Sequence, residues 1–90
     1  MMDALNLPVE MISVCSREGD LRPIRFRLTP EEGDPVTVSL RGIDMVQAVR
    51  YVGQEAVRYL CRGELEGRER RFELRYDLRS HRWVLHRFLD

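Results

Sequence analysis

The sequence contains no lysine: all fifteen of its basic residues are arginine. Fifteen acids balance them, so the formal charge is zero and the pI about 6.7. That balance removes the strongly basic footprint of a typical nucleic-acid binder. The exclusive use of arginine has two readings. Arginine is the better fork for phosphate and carboxylate, and a GC-rich genome also favours its codons. The charge is unevenly spread, with seven acids against four arginines over residues 1–34 and eight against eleven over 35–90.

Other absences narrow the field. No apolar run approaches the roughly 20 residues a membrane helix needs, and residues 1–14 offer no basic segment leading into an apolar one. The expectation is therefore a cytoplasmic protein that engages no membrane. Only two cysteines occur, Cys15 and Cys61, with no CxxC spacing and no histidine nearby in sequence. A zinc site has too few ligands, and both cysteines read as small buried thiols, a bridge or a reactive thiol being the alternatives. No metal and no cofactor is expected. Glycines such as Gly63 and Gly67 lack the lysine and helix of a phosphate loop. Ser80 beside His81, with Asp77 near, is an adjacency in a loop rather than a triad. His81 is expected in a turn and His86 on the solvent side. Glu64 and Glu66 read as solvated carboxylates, so the chain is not expected to be an enzyme.

What the sequence does have is alternation. In 70–90, RRFELRYDLRSHRWVLHRFLD, Phe72, Leu74, Tyr76 and Leu78 fall on one face, with Glu73, Arg75 and Asp77 between them. Period two marks a half-buried strand. The polar residues 79–82 then turn the chain into a second strand opening on the only tryptophan, Trp83. Folding back there sets Leu78 opposite Trp83 and Tyr76 opposite Leu85. Further strands are predicted over 9–16; 22–28, with Ile24, Phe26 and Leu28 inside and Arg25 and Arg27 outside; 36–41; 56–65; and 69–78. Residues 43–52 fit either a short amphipathic helix or a bent strand, and the reading leans to strand.

The turn at Gly67 admits two registers. A Glu66-Gly67 loop opposes Arg62 to Arg71 and Arg58 to Arg75. A Gly67-Arg68 loop instead opposes Arg62 to Glu73, Glu64 to Arg71 and Arg58 to Asp77, and puts glycine first, as a type II′ turn prefers. Charge and turn chemistry favour the second. On that reading the uncommitted basic face is Arg25, Arg27, Arg41, Arg75 and Arg87. Tyr59, Tyr76, Phe72 and Trp83 share the buried alternation and read as core rather than as a stacking platform; Tyr51 is the aromatic least assignable to it.

The expected fold is all-β: a small, strongly bent antiparallel meander of five or six strands closing into an SH3-like barrel. Short strands joined by hairpin-length loops favour a meander, and closure hides sheet edges. It occupies residues 1–90 as one domain, with 1–8 a loose N-terminal arm.

Arg22-Pro23-Ile24-Arg25-Phe26-Arg27 together with the ending FELRYDLRSHRWVLHRFLD resembles a small uncharacterised bacterial family. Its members pair an early RP-hydrophobic-x-F strand with a terminal YELxxDxxxxxWxLxRxxD hairpin. Some are encoded beside, or fused to, proteins similar to Y-family DNA polymerases of SOS mutagenesis. The matching positions are Arg22, Pro23, Phe26, Phe72, Glu73, Leu74, Asp77, Trp83, Leu85, Arg87 and Asp90. His81 replaces a usual turn glycine, Leu28 a frequent aromatic, and 43–57 has no counterpart. The resemblance implies an association with DNA repair or damage tolerance and assigns no functional residue. The functional expectation is a non-catalytic accessory or adaptor module with a protein partner. The alternative is a small nucleic-acid-binding barrel. Arg25, Arg27, Arg41, Arg75 and Tyr51 are the candidate contact residues for either, and the oligomeric state is left open.

Overall fold

The computed structural model describes residues 5–90, the side chain of Tyr51 apart. The described chain has no helix. Six strands follow one another: β1 (Leu7–Cys15), β2 (Leu21–Leu28), β3 (Val36–Tyr51), β4 (Gln54–Leu65), β5 (Arg68–Asp77) and β6 (Arg82–Phe88). Each pairs antiparallel with the next, and β6 returns to β1, giving a closed barrel. This is the expected small SH3-like meander, with six strands.

Residues 43–52, read as helix or strand, continue β3 as strand, so 36–41 and 43–51 are one bent strand of sixteen residues. Its register against β4 slips at Leu40/Gly42 and again at Ile43/Met45. Each slip is a β-bulge, which bends and twists the strand it lies in. The bend lets one strand serve two walls of the barrel.

The core is Phe26, Val38, Tyr59, Cys61, Phe72, Leu74, Tyr76, Trp83 and Leu85. Trp83 is only 7% exposed and packs between Tyr59, at a ring separation of 5.3 Å, and Tyr76, at 4.9 Å. The four rings considered for a stacking platform are thus interior. Gly63 belongs to the same interior: a Cβ there would lie 2.8 Å from the Ser39 carbonyl oxygen and 3.1 Å from the Phe72 ring. Only glycine lets β3 and the Phe72 ring approach so closely.

Several expectations are corrected. The β4–β5 turn is Glu66-Gly67, closing on Leu65↔Arg68, so Arg62 does face Arg71 and Arg58 faces Arg75. Glu66 and Gly67 both take positive φ, 51° and 80°. That is the type I′ geometry whose twist suits a hairpin. Backbone twist therefore decides the register, and the side chains accommodate the like charges. The last hairpin pairs Tyr76 with Trp83 and Leu74 with Leu85, not Leu78 with Trp83. Its loop is Leu78 to His81, because the Asp77 carboxylate accepts from Ser80 N, Ser80 Oγ and Arg79 N and starts the turn early. His81 closes it at φ 60°. Leu78 is left exposed.

A bulge between β1 and β2 puts Pro23 inside and Ile24 outside, against the expected alternation. Cys61 is buried, but Cys15 is exposed, because β1 ends there at a turn rather than in the core. Half of the expected loose arm, residues 1–4, lies outside the described residues. The other half is tied down: Leu5 and Asn6 donate to the His86 carbonyl, and Leu7 and Pro8 pair with Leu85 and Val84.

Candidate functional site

Two features stand out: an arginine-rich wall built around one buried acid, and a sheet edge left open.

Glu73 alternates with Phe72 and Leu74 along β5, so its side chain leaves the core for the outer face. It is nevertheless 0% exposed. Arg75 Nε donates to it at 2.7 Å, Arg87 Nε at 3.1 Å and Arg58 Nη2 at 3.5 Å. The three guanidinium-bearing side chains are 26%, 39% and 25% exposed. Each comes from a different strand, and their meeting depends on the Glu66-Gly67 register, which sets Arg58 opposite Arg75, and on the β6 bulge, which sets Arg87 opposite Glu73. The like charges of Arg58 and Arg75 are reconciled here, by one shared carboxylate. Burial alone would raise the Glu73 carboxyl. The Arg75 hydrogen bond and charge, the Arg58 charge and the Arg87 hydrogen bond outweigh it and hold the group below the usual range.

His86 borders the cluster, its Nδ1 2.6 Å from Asn6 Oδ1. It is partly buried. Burial first, then the charge of Arg75, lowers its pKa from 6.5. His81 lies in the turn as expected, with Nδ1 2.7 Å from the Tyr76 hydroxyl.

The second feature lies where β2 and β3 part. β2 pairs with β3 only over Val36 to Ser39. The Val52-Gly53 loop makes Tyr51 and Gln54 the closing hydrogen-bonded pair of β3 and β4. Met45, Gln47 and Val49 therefore bond to β4, while Val46, Ala48 and Arg50 turn their N–H and C=O groups to the other side. Among the described residues no backbone hydrogen bond reaches that side. The edge carries five uncharged residues in a row, Met45 to Val49. Beside it lies a cleft of about 370 Å³ whose lining includes Asp20, Leu21, Val46, Ala48, Val57, Tyr59 and Leu78. A separate, smaller opening lies between Arg22, Ile24, Arg41 and Ile43.

The residues singled out from sequence are not brought together. Arg25, Arg27 and Arg41 lie on β2 and β3, on the outer face; Arg27 pairs with Glu10 at 2.6 Å and Arg41 with Glu64. Arg25 has no acidic partner among the described residues. Arg75 is across the barrel, in the Glu73 cluster, as is Arg87. The Tyr51 side chain lies outside the described residues. Glu73 and Arg58 were missed. The signal within reach was Glu73 and Arg75 on one strand face; Arg58 joins them only in the correct register.

Burial first, and then the Asp44 charge, pushes the Cys61 thiol up to about 12, which keeps it protonated and inert. No cluster of metal-ligating side chains occurs among the described residues. Comparison of the chain with protein-family models, with curated proteins and with solved structures returns no match.

Proposed function

We propose that this chain is a non-catalytic binding module that captures an extended segment of a partner protein on the open edge of β3. The observation that carries the reading is that β2 covers only the first four residues of a sixteen-residue strand. Edges of this kind are normally blunted by charge, proline or a covering element. Here the edge is uncharged from Met45 to Val49, and its outward N–H and C=O groups offer the main-chain bonds by which β-augmentation gains affinity.

The surroundings describe the occupant. Val46 and Leu78 supply apolar contacts along the cleft, so alternate residues of the captured segment are apolar. Arg22 and Arg25 lie on the β2 side with no acidic partner among the described residues, so the segment carries acids where it passes β2. The resemblance to the bacterial family adds a setting in which to look for it, the proteins of DNA damage tolerance.

The test is selection of displayed random peptides on the purified protein, alongside capture of host proteins with and without DNA damage. Selected peptides should be extended, apolar and acidic, and should shift the amide signals of β3 residues 44–50. Ala48→Pro removes one outward N–H while leaving the β3–β4 ladder bonds in place, and it should abolish binding. Peptides that bind Ala48→Pro equally well, or that shift amides elsewhere, would refute strand addition at this edge.

A further inference from the structure

The Glu73 cluster holds more cation than Glu73 requires. Three guanidiniums surround one carboxylate, leaving two positive charges in excess on a partly buried surface. Arg75 and Arg87 each spend only the Nε–H on Glu73. Their terminal Nη1 and Nη2 groups have no acceptor among the described residues. A guanidinium has five N–H donors in a rigid fork, so gripping it at Nε fixes its direction and leaves the end of the fork free. Arg58 is held the other way round, by Nη1 on Gln47 and Nη2 on Glu73, and its buried Nε has no partner. Next to them burial, and then the charge of Arg75, lowers the pKa of His86.

We propose that Arg75 and Arg87, positioned by Glu73 and flanked by Arg58, form a binding site for a phosphate monoester. Two forks gripped at Nε by the same carboxylate can offer their free ends to the tetrahedral oxygens of a phosphate, each with a bidentate grip. The charge matches as well. A monoester carries about −1.5 to −2 near neutral pH, against an excess of two positive charges, whereas a diester carries only one. Glu73 is a positioning residue here: it touches no ligand, but it orders two long side chains before the anion arrives. The site lies on β4, β5 and β6, touches β3 through the Arg58–Gln47 hydrogen bond, and does not depend on the peptide-binding reading.

The experiment is an NMR titration of the folded protein, reading the arginine Nε–H signals and using inorganic phosphate as the probe. Phosphate should shift Arg75, Arg87 and Arg58 with one common affinity of about 1 mM, and leave Arg25 and Arg27 in place. Arg75→Gln and Arg87→Gln should each weaken binding about ten-fold. Two oligonucleotides, one 5′-phosphorylated and one with a 5′-hydroxyl, separate the sources of the group. Tighter binding of the phosphorylated one assigns the ligand to a nucleic-acid end. Equal oligonucleotide binding, with phosphate still moving the forks, assigns it to a free phosphomonoester. If phosphate shifts Arg25 as much as Arg75, or shifts none of the three, the site does not exist. The wild-type titration decides this by itself, so the test stands even where an arginine variant fails to fold.

Discussion

The β1–β2 ribbon and the β3–β6 sheet are built differently, although both belong to one barrel. The sheet is joined by long ladders: β3 and β4 stay paired to their hairpin tip, and β4 and β5 pair from Ala56 to Leu65 without a slip. The ribbon closes the barrel through two short seams, Leu7 to Val9 on β6 and Arg25 to Leu28 on β3. Burial follows the same division. Of the nine core residues only Phe26 comes from the ribbon, where Pro23 is also buried, while Ile12, Val14 and Ile24 are exposed on it. The sheet holds the fold and carries the fixed arginine cluster. The ribbon covers the core and, by stopping short, exposes the β3 edge. The lesson is that closing a barrel and filling its core are separate jobs here, assigned to separate strands.

The largest expected effect lies at the centre of the sheet. Trp83→Ala removes a ring packed on both Tyr59 and Tyr76 and should cost roughly 3–5 kcal/mol, much of what a domain this size possesses. Denaturant unfolding measures it, and wild-type Trp83 fluorescence should be blue-shifted and resist iodide. A stable Trp83→Ala protein would mean that the sheet is not the stability core.

Glu73→Gln comes next. It strips the shared charge from three arginines and should cost roughly 2–3 kcal/mol, the reachable solvent around Arg87 softening the loss. The pH dependence follows from the sign. A carboxyl held below its ordinary value in the folded state stabilises above that ordinary range, and the contribution disappears as pH falls through the depressed value. Asp77 and Asp90 share this sign. His86, lowered from 6.5, makes folding weaken as pH drops below about that value. Thermal unfolding from pH 8 to 3 should therefore show two declines, and Glu73→Gln should flatten the more acidic one.

Gly63→Ala should cost about 1–3 kcal/mol, because its methyl meets the Ser39 carbonyl, which is backbone and cannot swing aside. Chemical denaturation tests it. A neutral result would show that the β3–β4 contact yields more easily than its geometry suggests.

At the small end, Ile12→Thr on the exposed face of the ribbon should change stability by less than about 0.5 kcal/mol. Native-state hydrogen exchange completes the contrast. Amides of β1 and β2 should exchange through an opening of lower free energy than those of β4 and β5. Equal protection throughout would make the ribbon and the sheet one cooperative unit.

Much of the architecture follows from local patterning. Period-two alternation over Phe72 to Tyr76 places that face inside wherever the strand pairs, because one face must leave water. Gly67 and the polar residues after Asp77 mark reversals for the same local reasons, and together with the short connections they specify a meander. Trp83 in the core follows from its place in that alternation. What local patterning cannot settle is register. A slip of two residues keeps every side chain on its own face, so the correct and incorrect pairings at Gly67 and at the last hairpin bury the same residues. Twist at Glu66-Gly67 and the Asp77 hydrogen bonds make those choices. Bulges are equally silent in sequence; they turn Ile24 outward and bring Arg87 to Glu73. The length of the β2–β3 pairing depends on how far β3 bends around the core. The Glu73 cluster and the open edge both arise from these non-local decisions, because each gathers groups from strands that meet only when the barrel closes.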